Sequence, residues 1–365
     1  MQELDATPLQ YLFNLFFYLI LCLLSLKSMD KERTALLNWL LIVVFCVFSF
    51  FAGDWFHYQL LMPTISNDFS EPIYYYFAIF VKRNYLLFRL AVWGMATCFL
   101  YNTSKRLRIN QNIVSFVFIW FFLPTFCYAR ASLAMASYFL GLSLLLWKNK
   151  KQSSLFQNVF GVMLIALSYV FHRSFLPIII LTPFAFIKLN TRRTLVLLLL
   201  LPVFVNVIFS ILGLASEGLL LDNDELESFS SSAQAYANQS RHNFNWKYTL
   251  ISNLKHIGFY IPFLFVIIKT KLNRHKILLP KVFESLLTID FIIIIIASTF
   301  FIMSRIWNTS DVLGYRFLYM TGIPTSILLS FLLQNGILNK RTTLVLLLST
   351  WISTVGLIIG KLLSM

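Results

Sequence analysis

Long apolar runs constrain this chain more than any other feature: 35–52, 113–128, 194–214, 285–303 and 342–360 have the length and composition of membrane-spanning helices. Of the 365 residues, 58% are hydrophobic and only 12% are charged. The pattern predicts an all-α polytopic integral membrane protein, a single membrane domain over 1–365. About twelve transmembrane helices are expected, at roughly 9–26, 35–52, 85–101, 113–128, 131–147, 155–171, 174–187, 194–214, 250–268, 285–303, 317–334 and 342–360. The first run follows the acidic segment MQELDAT, where a secretory signal would be positive, and lacks a small-residue cleavage site, so it reads as a retained helix.

The net charge of +15 does not point to nucleic acid, because the basic residues sit in short clusters between apolar runs and form no continuous stripe. Alternate loops explain them as a topology signal. Segments 27–34, 102–112, 148–154, 188–193, 269–284 and 335–341 hold 19 of the 30 Lys and Arg residues but only Asp30, Glu32 and Glu284 among the acids. The positive-inside rule makes these loops cytoplasmic. The other face then carries the amino terminus, 53–84, 129–130, 172–173, 215–249, 304–316 and the carboxyl terminus, with eleven of the fifteen acids, and in a bacterial inner membrane it is periplasmic. Within 53–84, the apolar stretch 72–81 is too short to span and predicts an interfacial helix. Loop 215–249 is the longest hydrophilic stretch. Cys22, Cys46, Cys98 and Cys127 lie in or beside apolar runs without metal-ligand or disulfide spacing, and read as packing residues.

Ionisable residues beside long apolar helices are costly and usually belong to a polar site. Arg130, in YARASLAMASYFLGL, precedes a helix rich in Ala and Ser whose small side chains allow close helix approach; alternatively it snorkels to headgroups. His172 and Arg173 form a tight turn between two runs, as a site or as a structural histidine and a plain anchor. Arg316 stands in SDVLGYRFLY five residues after Asp311, its possible ion-pair partner, with Arg305 at the end of the preceding run. Asp54, Tyr58, Glu71 and Tyr74 come from the first outer loop. Carboxylates there can act as a general base or orient an arginine, and tyrosines offer stacking faces and hydroxyls, although ordinary aromatic-belt residues look the same. The Asp222-Asn223-Asp224 triplet has the spacing of some metal sites, but in so acidic a run it reads as a solvated surface. No metal and no other cofactor is expected.

On these residues the chain resembles the EpsG family, a branch of the Wzy-type polymerases of bacterial O-antigen, capsule and exopolysaccharide assembly. The resemblance rests on Gly53, Asp54 and Tyr58 in G-D-x-x-x-Y, Glu71, Pro72 and Tyr74 in E-P-x-Y, and Arg130, Leu133, Ala134 and Ala136 in R-x-x-L-A-x-A. It continues through Phe171 to Ser174 in F-H-R-S and Tyr315, Arg316, Phe317 and Tyr319 in Y-R-F-x-Y, in order over roughly 50–320. Arg173 stands where members often carry a small or apolar residue, and loop 215–249 has no matching feature, so the substrate's identity does not transfer.

The resemblance implies a membrane glycosyltransferase with the multi-helix, GT-C-like architecture of lipid-dependent enzymes. Its substrates would be undecaprenyl-diphosphate-linked oligosaccharides, with membrane lipids and a chain-length regulator as further partners, and its site would face the periplasm. In that frame Asp54, Glu71 and His172 are candidates for the base. Arg130, Arg316, Arg173 and Arg305 are candidates for the diphosphate, whose oxygens suit the guanidinium fork. Tyr58, Tyr74, Tyr128, Asp311 and Tyr315 are candidates for sugar contacts. Two other classes compete: a lipid-linked oligosaccharide flippase or other transporter, which needs cations at midplane depth and often repeated halves, and a related transferase, either an O-antigen ligase or a membrane acyltransferase using His172.

Overall fold

The computed structural model describes residues 8–29, 34–49, 59, 62–65, 72–128, 131–146, 155–187, 258–272, 279–306 and 312–364, and among these it is helical, with no strand. The helices are α1 (Pro8–Ser28), α2 (Ala35–Phe48), α3 (Pro72–Phe80), α4 (Tyr85–Arg106), α5 (Gln111–Phe121), α6 (Leu123–Tyr128) and α7 (Ser132–Leu146). They continue with α8 (Leu155–Phe171), α9 (Leu176–Leu181), α10 (Gly258–Thr270), α11 (Lys281–Ile306), α12 (Val312–Met320), α13 (Gly322–Gln334) and α14 (Lys340–Ser364). Stretches long and apolar enough to cross a membrane occur at Pro8–Ser28, Lys281–Phe301 and Gly314–Gln334, together with several shorter apolar helices. Leu9, Phe13, Phe16, Leu23, Leu36, Leu40, Phe156 and Val345 are all exposed, a surface that only lipid solvates without cost. The protein is an integral membrane protein. The expected run 194–214 lies outside the described residues.

Local chemistry sets the helix ends. Asn84 caps α4 by accepting from Leu87 N at 3.1 Å, and Asn110 caps α5 by accepting from Asn112 N at 2.9 Å. Three expected continuous spans are broken, each beside a proline. In 113–128 the axis breaks at Phe122, because Pro124 has no N–H for the carbonyl of Trp120. The Tyr18 hydroxyl of α1 donates there instead, at 3.1 Å to Ile119 O and 3.5 Å to Trp120 O. In 174–187 the chain winds as a 3₁₀ turn (Arg173–Phe175), α9, and a 3₁₀ run (Thr182–Phe186) holding Pro183. In 317–334 the break falls at Thr321, three residues before Pro324, and the Thr321 hydroxyl donates to Leu318 O at 2.7 Å. The stretch 72–81 is helical over the nine residues of α3, with Tyr76 and Phe80 exposed, and it ends in a turn where Lys82 and Arg83 take φ of 52° and 58°.

α7 is the axle of the bundle. Every residue from Ala131 to Leu146 except Leu145 is buried. The small residues expected to permit close approach do so against α8: a Cβ on Gly141 would lie 2.6 Å from Gly161 O, and the Ser137 hydroxyl donates to Leu164 O at 2.7 Å.

A second close crossing joins α13 to α5, where a Cβ on Gly322 would lie 2.1 Å from Phe122 Cδ2. Gly322→Ala is therefore expected to destabilise the protein by about 1–3 kcal/mol, through forced separation of two packed helices. Gly94→Ala, whose Cβ meets nothing within 4 Å, is the matched control and should be neutral or stabilising. Thermal unfolding of both variants in detergent checks this; equal melting temperatures would remove the crossing from the account.

Candidate functional site

Polar and ring contacts between helices sort into two tiers, and the tiers follow the charge pattern. At one end Asn38 Nδ2 donates to Ser28 Oγ at 2.8 Å and to Ser115 Oγ at 3.2 Å. Arg106 Nη2 reaches Gln157 Oε1 at 3.2 Å, while Gln334 accepts from Asn110 N at 2.6 Å and donates to Arg108 O at 3.2 Å. These residues flank the basic segments 27–34, 102–112, 148–154 and 335–341. At the other end Arg89 meets the end of α2, the Cys46 and Cys127 sulfurs lie 3.2 Å apart, and the rings of Phe77 and Phe171 lie 6.4 Å apart. Helix ends beside basic loops touch one another, and ends beside the less basic segments do the same. A bundle crossed by one bilayer requires that arrangement.

His172 closes α8 at the end opposite Gln157. Its backbone is extended (φ −161°, ψ 113°), its N–H donates to Ser168 O at 3.0 Å, and its carbonyl accepts from Phe175 N at 3.0 Å. The imidazole is buried and the neighbouring Arg173 is half-buried. Helix α3, which begins directly after Glu71, packs on this turn through Phe77 and Phe171. Helix α3 and the His-Arg turn, about a hundred residues apart in sequence, are thus neighbours.

Arg316 lies on α12, at the end of the α12–α13 pair opposite Gln334, and it is half-buried. Phe300 stacks on Phe317 at 5.3 Å, Phe301 meets Tyr315 edge-on at 5.3 Å, and a Cβ on Gly314 would press to 2.6 Å from the Phe301 ring. This tight hairpin sets Tyr315 and Arg316 beside the last turns of α11, where the backbone of Arg305 lies. The opposite end of α11 is level with the basic tier, since Phe283 packs on Phe331 with ring centroids 3.9 Å apart. His172, Arg173, Arg305 and Arg316 therefore all occupy helix ends away from the basic loops.

Tyr74 is fully buried, its ring 6.3 Å from Phe77 and 6.1 Å from Phe88, so it packs α3 onto α4. Tyr128 belongs to the last turn of α6. Asp54, Tyr58, Glu71, Arg130 and Asp311, and loop 215–249 with its Asp222-Asn223-Asp224 triplet, lie outside the described residues. Among the described residues no group of three His, Cys, Asp or Glu side chains is placed to hold a metal ion.

Two buried ionisable side chains were not among the expected candidates. Arg89, inside the expected span 85–101, donates from Nη2 to Cys46 O at 2.5 Å and to Ser49 O at 2.9 Å. Asp290, inside 285–303, is fully buried and accepts from the Thr325 hydroxyl at 2.6 Å, tying α11 to α13, while its Oδ1 has no partner among the described residues. The signal for both was available: each is an ionisable residue within an apolar run, and such residues almost always face a bundle interior.

The EpsG family profile matches residues 51–364, most of the chain. The chain belongs to the EpsG family. No curated protein and no solved structure matches it. EpsG membership and the apolar helices together make this a membrane protein of polysaccharide biosynthesis.

Proposed function

We propose that this EpsG-family protein is a polymerase that joins undecaprenyl-diphosphate-linked oligosaccharide repeat units on the periplasmic side of the inner membrane. The family supports the reaction class, and the single observation that carries the residue assignment is the common level of His172, Arg173, Arg305 and Arg316 at helix ends remote from the basic loops. A donor glycan would break its anomeric bond to the lipid diphosphate as an acceptor hydroxyl attacks. The hydroxyl's proton passes to a carboxylate or imidazole, and the departing diphosphate takes up negative charge. Arginines at the site answer that charge with fixed donors that cannot lose their protons. The twelve-span, GT-C-like architecture and the outer position of loop 215–249 belong to the same reading.

A carrier is the competing class, and the broken helices α5–α6, α9 and α12–α13 are a feature it would share. Against it, each break has a local proline and the cationic candidates gather at one level, away from midplane depth.

The test is reconstitution. The purified protein in liposomes with a lipid-linked repeat unit should yield a ladder of lipid-linked oligomers and free undecaprenyl diphosphate. Movement of the repeat unit between leaflets with no ladder would replace the polymerase with a flippase. Sidedness is tested separately in spheroplasts: cysteines at Ser70 and Ser231 should react with a membrane-impermeant thiol reagent, and one at Gln152 should not. The reverse labelling pattern would move the proposed site to the cytoplasm.

A further inference from the structure

The geometry points to Arg89 as a positioning residue that clamps the outer ends of α2 and α6 in register, and through them the segments that follow; its effect on polymer synthesis rests on the polymerase reading above. α4 presents a stripe one turn apart, Tyr85, Arg89 and Trp93, to two neighbours at once. Arg89 lies 5.8 Å from the Tyr85 ring centroid and gives two hydrogen bonds to Cys46 O and Ser49 O, at 2.5 and 2.9 Å. Those carbonyls belong to the last turn of α2 and its extended C-cap, where the helix dipole is negative. One turn on, Trp93 packs against Phe126 of α6, with ring centroids 5.1 Å apart. The third side of the triangle is the contact between Cys46 and Cys127, whose sulfurs lie 3.2 Å apart. Arg89 is 5% exposed, and Cys46 and Cys127 are fully buried.

A buried guanidinium is an expensive way to end a helix. Desolvating a cation costs several kcal/mol, and a polar cap from Ser or Asn would satisfy one carbonyl without it. What the long side chain adds is reach: it ties α2 to α4 at a distance a short cap cannot bridge. Ser49 stands five residues before Asp54 and Cys127 three residues before Arg130. A shift of one helix end relative to the other would therefore be passed to two chain segments that carry candidate site residues.

The test uses two readouts on the full-length protein with Cys22 and Cys98 replaced by Ser. The first is independent of function. Membrane-permeant copper-phenanthroline in air should join Cys46 to Cys127, two thiols losing two protons and two electrons to the oxidant, with the linked peptides read by mass spectrometry. Arg89→Met should lower the yield of that link, and Arg89→Lys, which keeps a cation able to reach the carbonyls, should restore most of it. The second readout is polymer synthesis with Cys46 and Cys127 reduced. Arg89→Met should lower turnover by about 100-fold, the effect of a misplacement of about 1 Å. The donor concentration for half-maximal rate should stay unchanged, and Arg89→Lys should recover the rate.

Unchanged cross-linking in Arg89→Met would overturn the clamp, and so would absence of the link in the parent protein. Reduced cross-linking with normal turnover would overturn the positioning role. If the parent makes no polymer at all, the polymerase reading fails while the cross-linking series still decides the clamp.

Discussion

Replacing Arg316 or Arg130 with Lys is expected to lower polymer synthesis by about 100-fold or more while leaving the amount of protein in the membrane near normal. One well-aimed donor facing charge that develops in a low-dielectric site contributes about 3–4 kcal/mol, and the Lys ammonium keeps the charge but loses the planar fork that grips two phosphate oxygens at once. For Arg316 the surroundings make the substitution a clean one. Its backbone is held by Gly314 against Phe301 and by the stacked Phe300 and Phe317, contacts that a Lys side chain leaves in place. The measurement is polymer length and amount by gel, normalised to protein by immunoblot. Wild-type rates in both Lys variants would remove the diphosphate assignment.

Asp54→Asn is expected to abolish chain growth while leaving binding of the lipid-linked repeat unit intact. A sugar hydroxyl is a weak nucleophile, and an inverting displacement needs a base within about 2.6–3.2 Å of it. Asn is nearly isosteric with Asp and cannot accept the proton, so the change isolates basicity from shape. His172 is the competing group. Its buried imidazole terminates α8 at a turn that α3 also touches. Glu71 is the third. Normal polymer from Asp54→Asn together with loss of activity in His172→Gln would transfer the role to the histidine. Binding and turnover are measured separately, by retention of labelled repeat unit and by the oligomer ladder.

Hydropathy and charge made much of the fold legible. Described helices overlap eleven of the twelve expected runs; 194–214 and the first part of 250–268 lie outside the described residues. That the helix at 72–80 is too short to be a span was readable because nine apolar residues cannot cross a bilayer. The small residues after Arg130 announced a helix that had to be crowded on every side, and α7 is. Less was legible about the breaks. A proline within an apolar run interrupts the backbone ladder, yet whether the helix bends or stops depends on what satisfies the freed carbonyl, and for Trp120 that partner is Tyr18, some hundred residues away.

The candidate site shows the same division. Its residue types and their order along the chain are properties of local sequence, because a charge beside an apolar run is costly wherever the chain goes. Composition by itself determined that this is a membrane protein, and the charge distribution set the expectation of basic loops on alternate connections. Only the tertiary structure decided that Tyr74 faces inward, that α3 lies on the His172 turn, that Cys46 meets Cys127, and that Arg89 ends α2. Each of those is a contact between residues far apart in sequence, and hydropathy ranks a residue's preference for lipid or water without naming its partner. Helix packing chooses partners by the fit of side-chain surfaces, as where Gly322 admits the ring of Phe122, and that fit exists only once the bundle has formed.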